Sequence, residues 1–394
     1  MENGTCAPFP RGFDEYKYLA SGTAPNDGEQ GLYFNPTFRE KGRDIVRHEG
    51  YVTDIITDMT VEWLKNRDHS KPFFLMCHHK APHDFWEYAP RFKHMFDNVE
   101  IPVPPSLFED RSHRSPASRD YGSSVGPRSA SRSLYVDFSR PEHPTGMMKT
   151  EGLKTFEDKT LAAYRKYLMD YLRTVAAIDQ SVGKLLETLE QEGILDDTLV
   201  MYTSDQGIFL GEHDYQDKRW SYEESLRAPM LIRYPREIPA GSVSYELMSN
   251  IDLAPTLLEF GGIPAPYCMQ GVSRKKMLEG KAAGAESIYF RYWMHRAHRH
   301  DNPAHYGIRT KDWKLIFYYG LPLDAAGAIP EPTVAGWELY DMQHDPLELH
   351  NVYNAPENKQ VIAQLKAQLT SLKAKYDDPD SRYPQVQALV DESE

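Results

Sequence analysis

The residues best suited to chemistry in this chain follow a short apolar run. Residues 199–202 are typical of a buried strand, and Asp205, Gln206 and Gly207 come directly after it. In α/β sheets, ligands gather beyond the carboxyl ends of the strands. Carboxylate and amide oxygens suit calcium or magnesium rather than zinc. The pattern indicates a metal site at Asp205 and Gln206, although the same residues could also form a simple turn.

Two basic residues follow in the same block. His213 and Lys218 are close enough in sequence to contact an anion held beside the metal. The block then continues through a Tyr-Glu-Glu stretch and ends at Pro229. We call residues 203–229 the signature segment.

The signature segment resembles the sulfatase family, whose block reads Thr-Ser-Asp-(Asn/Gln/His)-Gly, then Leu-Gly-(Glu/Gln)-His, Lys, Tyr-Glu-Glu and Arg-x-Pro. The resemblance implies that Asp205 and Gln206 bind one Ca²⁺. It also implies that Lys218 is a catalytic residue that contacts the sulfate or the leaving oxygen, and that His213 is a secondary candidate for substrate binding.

A second segment with chemistry begins after residues 72–77, which are predicted to form a buried strand. The following Lys-x-Pro-His sequence resembles the sulfate-binding segment of sulfatases. The resemblance makes His83 catalytic and Lys80 a substrate-binding candidate. We expect both to converge with Asp205 at the ends of neighbouring strands.

Sulfatases hydrolyse sulfate esters with a formylglycine that is made from a Cys or Ser within a Cys-x-Pro-x-Arg motif. That motif, the paired aspartates before it and the Gly-Lys-Trp-His segment after it do not occur in this sequence. Cys6 begins a partial match, but the arginine stands one place too late. We therefore expect a truncated, inactive form that lacks formylglycine and has an incomplete calcium ligand set.

The sugar that such a protein would act on is suggested by residues 292–307. Together with the signature segment they resemble bacterial exo-acting glycan sulfatases, and 6-sulfated N-acetylglucosamine is the favoured substrate. His305 is then a substrate-binding candidate. The aromatic residues around it could equally form a packed layer beneath a small sheet.

Two other function classes remain open. A phosphohydrolase of the wider alkaline-phosphatase-like superfamily would use several Asp and His ligands, and Gln206 fits such a site poorly. A non-catalytic glycan-binding fragment would agree with the missing nucleophile motif. An in-frame Cys-x-Pro-x-Arg in the DNA upstream would favour the enzyme.

Composition excludes further classes. The net charge of −13 over 394 residues argues against nucleic acid as a partner. No apolar run is long enough to span a membrane, and three cysteines cannot build a disulfide framework. The N-terminus lacks the pattern of a signal peptide, so localisation stays open, although a periplasmic or secreted site is expected for a full-length family member.

The elements that must position these residues are predicted from periodicity. Residues 1–50 have little periodicity and are predicted to be irregular, while apolar spacing predicts helices from Tyr51 and over 158–192. Residues 101–150 form a long loop that carries several arginines. That loop could be a cationic rim for a sulfated sugar or a mobile surface insertion.

The resemblance and this order of elements predict an α/β fold. We expect an alkaline-phosphatase-like central sheet flanked by helices, with a smaller C-terminal antiparallel sheet and a helix over 358–375. The predicted domains are residues 1–265, a catalytic domain without its N-terminal part, and residues 266–394, an α+β subdomain.

Overall fold

The structure is a computed structural model that describes residues 12–20, 32–42 and 45–392. Cys6 lies outside the described residues. The chain divides into two compact units. The first comprises residues 1–101, 141–147 and 165–198, and the second comprises 102–140, 148–164 and 199–394. The predicted boundary at residue 265 stays a prediction.

The strands, in chain order, are β1 (Lys17–Leu19), β2 (Thr37–Glu40), β3 (Ile45–Arg47), β4 (Val200–Thr203), β5 (Phe209–Leu210), β6 (Gln216–Asp217), β7 (Met230–Arg233), β8 (Ser287–Tyr292), β9 (His305–Thr310), β10 (Trp313–Tyr318) and β11 (Gly336–Asp341). The helices are α1 (Val52–Asn66), α2 (Leu134–Phe138), α3 (Phe156–Gln191), α4 (Glu223–Leu226), α5 (Leu253–Phe260), α6 (Lys275–Leu278), α7 (Lys359–Lys375) and α8 (Pro384–Glu392). The predicted α/β class is confirmed.

The first unit corrects two predictions. Strands β1, β2 and β3 form an antiparallel sheet where an irregular loop was expected, because strands of three or four residues are too short to show periodicity. Residues 72–77 are not a strand, since no described segment forms a ladder with them, and Phe74 is 59% exposed. The helix predicted from Tyr51 is confirmed as α1.

The long helix α3 confirms the clearest periodic segment of the sequence. Its residues 156–164 belong to the second unit and the remainder to the first. Asp158 accepts hydrogen bonds from the backbone nitrogens of Lys154 and Thr155 at its start. Within the part of the chain that the structure describes, neither α3 nor any other helix is long and apolar enough to cross a membrane.

In the second unit, β4 pairs with β7 in an antiparallel two-stranded ladder, and β5 pairs with β6. The predicted C-terminal sheet is confirmed as four antiparallel strands in the order β11-β10-β9-β8, with α7 beside it. Successive side chains of a strand point to opposite faces. The sheet therefore has two faces with different neighbours.

We call these the signature face and the helix face. On the signature face, Tyr318 and Tyr340 pack against Trp220 and Tyr222 of the signature segment. The helix face is an apolar core with α7 and α8, formed by Ile308, Leu315, Phe317, Leu339, Leu365, Leu369 and Val386. Each fully buried aliphatic side chain there contributes about 1.5–3 kcal/mol.

Part of the arginine-rich loop belongs to the second unit, where three of its arginines contact one aromatic ring. Its role as a cationic rim for a sulfated sugar stays a prediction. Arg111, Arg114 and Arg128 stack around the ring of Tyr215, with Cζ-to-centroid distances of 4.5, 5.2 and 5.4 Å. Arg114 is 1% exposed. These cations face inward because the aromatic ring and buried carboxylates compensate their charge.

Candidate functional site

The turn after β4 presents the two predicted metal ligands. Asp205 is exposed and Gln206 is half-buried. The Ser204 hydroxyl donates to the Gln206 carbonyl oxygen at 2.5 Å. The Gly207 nitrogen donates to the Ser225 carbonyl oxygen at 2.9 Å. A Cβ on Gly207 would lie 2.1 Å from the Glu224 carbonyl oxygen, so only glycine allows this approach.

The donor set at this turn fits part of a calcium site. Asp205 and Gln206 supply two adjacent hard oxygen donors, and neither side chain forms a hydrogen bond or ion pair with the described residues. Calcium takes six to eight oxygen ligands. Among residues 12–20, 32–42 and 45–392, no group of three or more His, Cys, Asp or Glu side chains could hold a metal ion.

A cluster of cations follows β6. Asp217 lies 3.1 Å from Lys218 Nζ and 3.0 Å from His300 Nδ1, and it also pairs with Arg219. Burial raises the pKa of Asp217, but His300 and the two cations outweigh it and hold that pKa well below its usual range. The carboxylate therefore stays ionised and holds the cations in place.

The backbone of this cluster is strained. Asp217 and Arg219 have positive φ angles of 69° and 87°. The Arg219 nitrogen donates to the Ser225 hydroxyl at 3.0 Å. Because such outliers persist only where surrounding contacts enforce them, the geometry around Lys218 is imposed by the fold.

His213 is fully buried. Its Nδ1 lies 2.8 Å from Glu109 Oε2 and 2.9 Å from Arg114 Nη2, and its ring stacks on Tyr222 at 4.9 Å. Burial lowers the pKa of His213 to about 4, against the opposing effect of Glu109. Substrate binding by His213 stays a prediction, and the side chain has no exposed surface.

His305 is also fully buried, at the start of β9. Its ring lies among Trp220, Phe290, Tyr292 and Tyr318, with centroid distances of 5.0 to 5.8 Å. Burial lowers its pKa to about 4. The packed aromatic layer is thus present, and substrate binding by His305 stays a prediction.

Lys80 and His83 belong to the first unit. His83 Nδ1 lies 2.6 Å from Asp84 Oδ1, and the Tyr33 hydroxyl donates to the His83 carbonyl oxygen at 2.5 Å. Lys80 Nζ lies 5.1 Å above the Tyr33 ring. The structure thus brings Lys80 and His83 together around Tyr33 and Asp84. Their convergence with Asp205 stays a prediction.

Sequence reasoning missed Glu338, the buried carboxylate at the centre of the signature face. Its Oε1 accepts from the Ser115 nitrogen at 3.0 Å and the Ser118 hydroxyl at 2.5 Å. Its Oε2 accepts from the hydroxyls of Tyr222, Tyr318 and Tyr340 at 3.1, 3.2 and 3.0 Å. The available signal was a charged residue among apolar and aromatic ones in the Trp-Glu-Leu-Tyr stretch of residues 337–340.

Comparisons with known proteins show the family and the fold of this chain. A family model described as Sulfatase matches residues 2–263, and one described as N-sulphoglucosamine sulphohydrolase, C-terminal, matches residues 211–375. An N-acetylglucosamine-6-O-sulfatase of Bacteroides thetaiotaomicron is 37% identical over 409 residues, which cover 94% of this chain and 69% of the relative. An arylsulfatase of Clostridium perfringens is 26% identical, over 80% of this chain and 56% of the relative.

A solved structure shows the same fold. It is a protein in complex with its substrate D-glucosamine-2-N,6-O-disulfate, with a TM-score of 0.81 and 36% sequence identity. The match covers 95% of this chain and 78% of that chain. The chain spans little more than half the length of the arylsulfatase, and 40% of the length of an N-acetylglucosamine-6-sulfatase of Bos taurus that it also matches.

Proposed function

Because the chain belongs to the sulfatase family, we propose that its signature segment binds the sulfate group of a sulfated glycan, with 6-sulfated N-acetylglucosamine as the preferred sugar. Relatives that carry this activity in their names support the choice of sugar, as does the solved complex with a glucosamine disulfate. Sulfatases are sulfuric ester hydrolases, so the reaction class is hydrolysis of a sulfate ester.

One observation carries the proposal. Ser225 accepts a hydrogen bond from the Gly207 nitrogen with its carbonyl oxygen and one from the Arg219 nitrogen with its hydroxyl. The turn that presents the metal ligands and the segment that presents the cations are therefore held by the same residue. A hard cation and fixed basic side chains at one place are what an oxyanion with several oxygens requires.

The residues then have separate roles. Asp205 and Gln206 would hold Ca²⁺, which supplies positive charge to the sulfate oxygens when bound. Lys218 contacts the sulfate, and Asp217 orients it. Lys80 and His83 are the proposed contacts from the first unit. A formylglycine nucleophile has no matching motif in this sequence.

His213 and His305 support the site without contacting the sulfate. We assign His213 a positioning role, since it joins the signature segment to Glu109 and Arg114. His305 supports Trp220, which follows the cation cluster directly. Both are neutral at pH 7 because burial lowers the pKa of each ring to about 4.

The test measures binding of N-acetylglucosamine-6-sulfate by titration calorimetry with calcium present. Lys218→Ala should weaken binding about tenfold or more, since a hydrogen bond to a charged group contributes about 1.5–3 kcal/mol. Asp205→Asn should remove the dependence on calcium. Lys311→Ala is the matched control, because Lys311 also pairs with a carboxylate, Glu246, at 2.5 Å in the same unit.

The outcome separates the rival functions. Equal affinity in the Lys218 and Lys311 variants would contradict the proposed site. Tighter binding of N-acetylglucosamine-6-phosphate than of the sulfate would favour the phosphohydrolase.

A further inference from the structure

A cavity lies at the edge of the C-terminal sheet. Strand β8 is at one end of the strand order, and a cavity of about 390 Å³ adjoins it. We call it the edge cavity. Its lining includes Asn250, Gln270, Tyr289, Arg291, Trp293 and Tyr376. Pockets for small molecules typically have volumes of about 300–1,000 Å³.

The edge cavity is separate from the signature segment. Tyr292 pairs with His305, which packs on Trp220 of that segment. Arg291 is the neighbouring residue of the strand and pairs with Tyr306, which belongs to the helix face. Since adjacent side chains point to opposite faces, Arg291 lies on the side of the sheet that faces away from Lys218.

Arg291 is the unusual residue of this cavity. Its side chain is 3% exposed, and its Nη1 donates to Asp378 Oδ1 at 2.5 Å. Its guanidinium carbon lies 3.4 Å from the centroid of the Trp293 ring. Nε and Nη2 are buried and form no hydrogen bond within 3.5 Å with the described residues, although the hydroxyls of Tyr289 and Tyr319 are near enough to interact with the guanidinium. A buried donor without a partner costs about 1–3 kcal/mol.

The two unpartnered nitrogens form one edge of the guanidinium plane. That edge presents two parallel N–H groups, the geometry that binds carboxylate and sulfate oxygens in pairs. Asp378 and Trp293 hold the plane in place from the other sides. A ligand oxyanion is therefore the group that this edge fits.

The surroundings add flat surfaces and a balanced charge. Tyr289 and Tyr376 stack at 6.1 Å with an angle of 14° between their rings. Arg382 Nη2 lies 2.8 Å from Asp377 Oδ1, so the two aspartates of the cavity are each paired with an arginine. Aromatic walls with planar polar groups suit a sugar ring that carries an acidic group.

We propose that the edge cavity binds an acidic sugar residue, with its carboxylate or sulfate on the Nε–Nη2 edge of Arg291 and its ring against Trp293 and Tyr376. The choice of a sugar rests on the proposed function, because a glycan chain can reach beyond the unit held at the signature segment. In the free protein neighbouring side chains cover Nε and Nη2, so binding requires a side-chain movement in the cavity wall.

The experiment titrates the whole chain with methyl β-D-glucuronide, glucosamine-6-sulfate and uncharged methyl β-D-glucoside. Binding is followed by ligand-observed NMR and tryptophan fluorescence. Each acidic sugar that uses the edge should bind at least tenfold more tightly than the glucoside. The first two probes distinguish a carboxylate from a sulfate as the recognised group.

Three variants locate the binding. Arg291→Lys keeps the charge beside Asp378 but removes the paired donors, and Gln270→Trp fills the cavity without altering Arg291. Both should weaken binding of the acidic sugar at least tenfold. Arg296→Lys is the matched control, because Arg296 pairs with Asp301 at 2.7 Å and lies outside the lining of the cavity. It should leave the affinity unchanged.

The result can overturn this inference without affecting the proposed function. The inference fails if the glucoside binds as tightly as the acidic sugars, if no sugar binds, or if Gln270→Trp has no effect. Lys218→Ala should leave glucuronide binding unchanged while it weakens binding of N-acetylglucosamine-6-sulfate at the signature segment. If the protein binds the glucuronide but not N-acetylglucosamine-6-sulfate, the proposed function is wrong. If it binds N-acetylglucosamine-6-sulfate but not the glucuronide, the edge-cavity proposal is wrong.

Discussion

The two faces of the C-terminal sheet are both buried, yet they differ in chemistry. The helix face consists of aliphatic and aromatic side chains packed on α7 and α8. The signature face carries Glu338, Lys314 and Tyr340, each at most 1% exposed. Buried polar groups are costly unless each has a partner. The difference shows that the signature face serves to position residues as well as to stabilise the sheet.

A second ionic cluster on the signature face supports this interpretation. Lys314 Nζ lies 2.8 Å from Glu223 Oε1 and 2.7 Å from Glu348 Oε1. Arg309 also pairs with Glu223 at 2.9 Å. Glu223 is part of the signature segment, so sheet residues hold that segment by charge as well as by packing. The cost of desolvation offsets much of the attraction in a buried ion pair, so these pairs fix the position of the segment more than they raise the free energy of unfolding.

The largest effect is expected from Glu338→Ala. The change leaves the Ser115 nitrogen and three tyrosine hydroxyls without their acceptor inside the protein. We expect a loss of about 3–5 kcal/mol in the free energy of unfolding, measured by urea denaturation. Glu357→Ala, at an exposed glutamate, is the control and should change it by less than about 0.5 kcal/mol. Equal losses would contradict the role of Glu338.

A smaller effect is expected on the helix face. Leu369→Ala should lower the free energy of unfolding by about 2–4 kcal/mol, because it removes buried methyl groups and leaves a cavity. Binding of N-acetylglucosamine-6-sulfate should stay unchanged in the folded protein, whereas Glu338→Gln should weaken it. If Leu369→Ala weakened sugar binding as much as Glu338→Gln, the two faces would not differ in function.

A third effect depends on pH, and for a change of one pH unit it is smaller than the two losses above. Burial raises the pKa of Glu224 to about 8, and Glu348 and Glu212 add to the shift. The folded protein then keeps a proton that the unfolded chain loses above its ordinary pKa. Stability should therefore fall as pH rises from about 4.5 to about 8, by up to about 1.4 kcal/mol per pH unit. Glu224→Gln should remove this dependence in urea denaturation at several pH values.

The neighbouring residue supplies the matched control. Burial raises the pKa of Glu223, but Lys314 and Arg309 outweigh it and lower that pKa to about 2. Its stabilising effect is present above the ordinary glutamate pKa and is lost as pH falls towards 2. Glu223→Gln should thus destabilise the protein at pH 7, whereas Glu224→Gln should stabilise it. The same response from both variants would show that their environments do not differ as described.

Local patterns in the sequence predicted much of the fold. The periodicity of residues 158–192 predicted α3, and alternation predicted β9 and β10. The signature segment predicted the family, which the comparisons confirm. Residues 72–77 misled the prediction because an apolar run shows that a strand is possible but does not show that a partner strand pairs with it.

The sequence by itself determined the family of this protein and the candidate site residues: the spacing that identifies a sulfatase, the oxygen donors at Asp205 and Gln206, and the cation at Lys218. Only the tertiary structure decided which charged residues turn inward. Glu338 and Arg291 lie in strands, and nothing in the sequence marks them rather than their neighbours as functional residues. Their roles depend on partners far away in sequence, Ser115 and Asp378. Burial and pairing of charge are properties of the packed chain, so no local pattern could show them.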